Sequence, residues 1–151
     1  MYKRQFYGYV PLASRAARDG SAGMADLIRR SVRLTALATL PFAIGVTIVA
    51  EPLVRLVFGP EYDGAAPVVQ ILVWTIPLSV LGGHFRHTLI ALKEMRKDLA
   101  AVAAGAATTV ALNIALTAQF GLAGGAVAMV AGEAVLTTFA IVLVARRVDF
   151  R

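Results

Sequence analysis

The chain has 151 residues, 58% of them hydrophobic and 16% charged, with no cysteine and a formal net charge of +6. Mean hydropathy is +0.72, and soluble domains carry nearer ~25% charged residues. An ordinary soluble domain, a disulfide framework and a cysteine-based metal site are therefore excluded, and the basic residues are informative about membrane topology and not about nucleic acid.

The first residues, MYKRQ, resemble a translated adaptor used in sequencing libraries; residues 1–5 are read as non-native and the chain as a fragment. Residues 6–33 read as the end of a preceding membrane helix, FYGYVPLASR, and a cytoplasmic connection, ASRAARDGSAGMADLIRRSVR, that is partly an amphipathic helix at the lipid surface. They are not a signal peptide, because no apolar stretch of ~7–15 residues follows the basic start. Four membrane segments are expected within residues 34–147, at about 34–58, 65–92, 99–118 and 122–145, since a spanning helix needs ~20 mostly apolar residues. In the first, EPLVRLVFG reads as a short amphipathic helix on the surface or a last bent turn. Glu51 and Arg55 stand there at the favoured i,i+4 spacing, and Pro52 suits a first turn. GPEYDG reads as a turn. Pro41 and Pro77 fall within spans, where neighbours can satisfy the carbonyls they free. Residues 148–151 read as a cytoplasmic end.

Lysine and arginine set the expected orientation. Apart from Lys3 and Arg4, the basic residues fall before the first span (Arg15, Arg18, Arg29, Arg30, Arg33), between the second and third (Lys93, Arg96, Lys97), and after the fourth (Arg146, Arg147, Arg151). Only Arg55 lies on the other side, and Arg86 lies inside the second span. The positive-inside rule then places both ends of the chain in the cytoplasm of a multi-pass protein of the cytoplasmic membrane.

The spans carry polar and small residues on particular faces. Gly105, Thr109, Asn113 and Thr117 recur every four residues along one stripe. Gly121 and Gly125 form GxxxG, with Gly132 and Glu133 near the middle of the same segment. Thr75, Ser79, Gly82, Gly83, Arg86 and Lys93 share one side of the second. Such faces pack against other helices or line a cavity, and amide or ionisable groups at this depth are costly enough to need a role. Arg86 is the sharpest case. It lies seven residues before Lys93, roughly 10 Å along a helix, so it can snorkel to the headgroups or, on an inner face, hold an anion with its fork. His84 and His87 hydrogen-bond neighbouring helices or help Arg86 polarise the anion. With no third histidine and no cysteine, no metal is expected, and no cofactor.

LPFAIGVTIVAEPLVRLVFGPEYDGAAPVVQIL resembles a stretch of polysaccharide flippases, and LNIALTAQFGLAGGAVAMVAGE resembles their later motif. Phe58, Gly59, Tyr62, Ala66, Gln70, Leu72, Asn113, Gly121, Gly125, Ala126 and Glu133 carry the likeness. Ala118 stands where proline is common, and Phe120 where tyrosine is usual. The resemblance covers about residues 10–147. It implies an all-α membrane protein whose four transmembrane helices form part of the second bundle of a MATE-like transporter fold, within the multidrug/oligosaccharidyl-lipid/polysaccharide exporter superfamily. It also implies a non-enzymatic function, flipping polyprenyl-pyrophosphate-linked oligosaccharides for polysaccharide biosynthesis. The expected partners are that lipid-linked substrate, the bilayer and the remaining helices of the full-length transporter. Beside this implication, the chemistry of the residues makes Arg86, His84, His87, Thr109 and Asn113 the candidate pyrophosphate and sugar contacts. Glu133 is the candidate for ion coupling or helix packing. Two rival readings are a multidrug/cation antiporter of the same superfamily, with Glu133 as the ion site, and a polytopic membrane transferase. The transferase lacks paired carboxylates, a nucleophile–base set or a phosphate-binding glycine loop in the short loops.

Overall fold

The computed structural model describes residues 21–146. The adaptor-like start, the end of the preceding helix, Arg15, Arg18, Arg147, Arg151 and residues 148–151 lie outside them. Every element among the described residues is helical: α1 (Ser21–Phe58), a 3-10 helix (Pro60–Ala65), α2 (Ala66–Leu72), α3 (Thr75–Ala91) and α4 (Met95–Ala145). Three stretches are long and apolar enough to cross a membrane: Ile28–Phe58, Pro60–Ala91 and Met95–Ala145.

α1 is one helix of 38 residues with Pro41 and Pro52 inside it. The expected boundaries near residues 33 and 50 are absent. Neither has a glycine that would stop the helix, and proline is tolerated in apolar helices when freed backbone groups find partners. Thr39 and Thr47 bond back within the helix to the carbonyls of Thr35 and Ala43, each at 2.8 Å, which are not the carbonyls of Leu37 and Ile48 that the prolines free. α1 ends where Gly59 adopts φ 96°, a conformation open to glycine at little steric cost. The chain then reverses through the 3-10 helix. That reversal adds a partner: Arg55 grips Asp63 with Nη2 at 2.6 Å and Nε at 3.1 Å, while Glu51 adds only electrostatic attraction at i,i+4. A two-point fork across the corner is stronger than a single i,i+4 contact.

The second apolar segment is interrupted at Val73 and Trp74, just before Pro77. Proline at 77 cannot donate to the Val73 carbonyl; the Ile76 N–H takes it at 3.1 Å. The Thr75 hydroxyl satisfies the neighbouring Leu72 carbonyl at 2.6 Å. α3 ends in a Schellman arrangement: the Glu94 N–H reaches the Leu89 carbonyl at 2.8 Å and the Lys93 N–H reaches that of Ile90 at 2.9 Å. Lys93 holds the left-handed position usually given to glycine, φ 60°.

α4 is continuous in name only. At Gly121 the backbone leaves helical geometry (φ 60°, ψ −141°), and the two halves fold back on each other. Their antiparallel seam is made of close approaches between Gly124 and the Leu116 carbonyl, and between Gly132 and both Thr109 and the Gly105 carbonyl. Across the seam from Gly105 lies Leu136. Gly121, expected as half of a packing motif, is thus the bend itself. α3 packs between α1 on one side and α4 on the other, and α2 touches both α1 and α4. A buried cluster of Ala25, Ile28, Phe85, Leu89, Ala140 and Val144 ties the start of α1 to the ends of α3 and α4. Arg29, Arg30, Arg33, Lys93, Arg96, Lys97 and Arg146 therefore gather at one end of the bundle. Arg55 and the Gly121 bend lie at the other.

Candidate functional site

Arg86 occupies the next-to-last turn of α3, and Asp98 the first turn of α4. The turn at residues 92–94 folds them face to face. Arg86 Nε donates to Asp98 Oδ1 at 2.7 Å and Nη2 donates to Oδ2 at 3.2 Å. The Arg86 side chain is 36% exposed and that of Asp98 15%. The carboxylate is thus nearly enclosed while the guanidinium keeps an open side. Glu133, half-buried in the second half of α4, lies within electrostatic reach of Arg86. Beside this pair, Lys97 is held by Glu94 at 2.8 Å.

The two histidines do not converge on the arginine fork. Residues 84 and 86 stand about 200° apart around a helix, and their contacts follow that angle. His84 Nε2 meets the Thr35 hydroxyl of α1 at 2.7 Å, whereas Arg86 reaches α4. His87 bonds back through Nδ1 to the Gly83 carbonyl on its own helix, and Thr88, fully buried, donates to the His84 carbonyl at 2.8 Å. The HFRH stretch thus ties α3 to a neighbour on each side. Among the described residues no three His, Asp or Glu side chains come together as a metal cluster.

Thr109 and Asn113 lie along the α4 seam. The Thr109 hydroxyl donates to the Gly105 carbonyl at 3.1 Å and stands against Gly132. Asn113 is exposed; its Oδ1 accepts from Thr117 at 3.3 Å. A Cβ added to Gly125 would lie 3.4 Å from Asn113 Nδ2. The stripe of Gly105, Thr109, Asn113 and Thr117 therefore faces the second half of α4.

Three residues that complete these contacts were not singled out from sequence: Asp98, Thr35 and Thr137. A signal existed for Asp98. Arg86 lies seven residues before Lys93 and Asp98 five after, so a tight turn at Lys93 places them at similar depth. Thr137, which donates to the Leu78 carbonyl of α3 at 3.0 Å and abuts Gly82, carries no such signal.

The flippase-like motif also acquires a physical account. Gly59 makes the corner, and Tyr62 sets its ring 6.0 Å from that of Phe58 at an angle of 49°. Ala66 is buried at the start of α2. Gln70 Nε2 donates to the Thr47 carbonyl of α1 at 3.1 Å. The motif encodes a helix corner and its tether.

Residues 9–67 match the model of a family described as "Polysaccharide biosynthesis protein". The match includes Phe58, Gly59, Tyr62 and Ala66, ends before Gln70 and covers less than half of the chain. Comparison with curated proteins and with solved structures gives no match.

Proposed function

We propose that the chain is part of a membrane transporter that flips polyprenyl-pyrophosphate-linked oligosaccharides across the cytoplasmic membrane for polysaccharide biosynthesis, without covalent chemistry. Its helices cross four times, as part of the second bundle of a MATE-like fold. The observation that carries the reading is an arginine fork among apolar helices, in a chain whose first part resembles polysaccharide biosynthesis proteins. A pyrophosphate moving past hydrocarbon loses hydration that costs several kcal/mol per charge unless a counter-charge replaces it. Arg86, with its open side, is the group in α3 that can supply one. Sugar contacts fall to exposed Asn113 and its neighbour Thr109. Glu133 modulates the charge around Arg86 or serves a coupling ion.

The gathering of the basic residues at one end supports an orientation with that end in the cytoplasm. The chain has no native cysteine, so single cysteines report cleanly. One at Lys97 is expected to react with an impermeant reagent only from the cytoplasmic side, and one at Asp63 only from outside. Reaction of both from the same side is incompatible with this topology. The function itself is tested by reconstituting the full-length transporter with radiolabelled lipid-linked oligosaccharide or a cationic dye. Movement of the sugar lipid to the opposite leaflet is expected. Movement of the dye alone, lost with Glu133→Gln, establishes the antiporter instead.

A further inference from the structure

Asp98 fills the side-on edge of Arg86. The Nε and Nη2 donors end on the two oxygens of one carboxylate, and the Asp98 side chain is more enclosed than that of Arg86. A phosphate presents the same pair of acceptor oxygens at similar spacing and with at least as much charge. We infer that Asp98 is a displaceable counter-ion, a specificity-determining residue that occupies the Arg86 fork until a phosphate group of a lipid-linked substrate replaces it. This rests on the reading of Arg86 as the pyrophosphate ligand.

Two consequences follow from the geometry. First, an incoming group must outcompete a carboxylate already seated side-on. A neutral lipid cannot, whereas a pyrophosphate carries more charge than the carboxylate it displaces. Asp98 thereby sets a threshold of charge for occupancy of the fork. Second, apparent affinity is reduced by the fraction of time the fork is closed. Removing the competitor raises affinity without adding any contact to the ligand. A residue serving only to hold α3 against α4 has the opposite signature, since losing it loosens the site.

The test uses the full-length transporter in detergent micelles, with a radiolabelled polyprenyl pyrophosphate as probe and the corresponding polyprenol as the uncharged control. Asp98→Asn is expected to bind the pyrophosphate about tenfold more tightly than wild type, as for a fork freed from a state open roughly a tenth of the time. Polyprenol binding is expected to stay unchanged. Arg86→Ala is expected to lose pyrophosphate binding, and Arg86→Ala/Asp98→Asn to bind no better than Arg86→Ala alone. Asp98→Glu, which keeps the charge but spoils the side-on fit, is expected to tighten binding by a smaller factor, and it carries the test if the asparagine variant fails to fold. Loss of binding in Arg86→Ala, with no tightening in either Asp98 variant, overturns the counter-ion inference and leaves the Arg86 reading standing. Wild-type binding in Arg86→Ala overturns the Arg86 reading itself.

Discussion

Arg86→Ala is expected to lower the yield of folded protein and to abolish transport, and the two losses are expected to part on a second substitution. The alanine leaves the Asp98 carboxylate, 15% exposed, without its counter-charge. Breaking a fully buried pair costs ~3–5 kcal/mol. Because the Arg86 side chain is 36% exposed and solvent screens that side, a loss of about 2–3 kcal/mol is expected here. Neutralising the stranded partner in Arg86→Ala/Asp98→Asn removes the buried charge, so most of the folded yield returns. Transport per folded molecule is expected not to return, because the proposed function assigns the substrate-facing cation to Arg86. Arg86→Lys separates charge from shape. An ammonium lacks the two-point fork, so partial transport is expected from a phosphate ligand and full transport from a residue that merely reaches the interface. The measurement is transport normalised to monodisperse protein for all three variants. Wild-type rates in Arg86→Ala would remove Arg86 from the mechanism and leave it as a fastener between α3 and α4.

The second large effect belongs to the seam inside α4. A side chain at Gly132 meets the Thr109 hydroxyl, Thr109 Cβ at 3.0 Å and the Gly105 carbonyl at 2.9 Å. The side-chain obstacles can move, but the carbonyl belongs to the facing helix and moves only with it. Gly132→Leu is therefore expected to part the two halves of α4 and to cost about 3 kcal/mol or more, at or beyond the usual upper end for overpacking. Gly132→Ala is expected to be milder, and Thr109→Ala to relieve it only in part, since the carbonyl remains. Gly45, with nothing within 4 Å of an added Cβ, provides the control: Gly45→Ala is expected to be neutral or to stabilise the helix by up to ~1 kcal/mol. Resistance to thermal aggregation in detergent reads all four. A Gly132→Leu protein as robust as wild type would mean that the halves of α4 do not rely on this contact.

The sequence by itself determined the all-helical membrane character, because apolar stretches of spanning length leave backbone groups no partner except their own helix. It also determined the grouping of basic residues, since charge position can be read directly from the order of the chain. The corner at Gly59 was legible as a turn in GPEYDG. Where one helix ends and the next begins was less legible. Pro41 and Pro52 did not break α1, Pro77 marked a break, and Gly121 served as a bend inside an apolar run that could equally read as a packing motif. At Pro77 the Ile76 N–H shifts to the freed Val73 carbonyl and the Thr75 hydroxyl takes the Leu72 carbonyl, and the helix is interrupted there. Only the tertiary structure decided what the polar residues touch. Position in an apolar segment shows that a charge at Arg86 is costly. It does not show that Asp98 compensates it, that His84 turns away toward Thr35, or that the Gly105–Thr117 stripe meets Gly125 and Gly132. Those partners lie far apart in sequence, or across a turn whose sharpness depends on one left-handed lysine, and a helix displays its faces to neighbours that periodicity alone does not name.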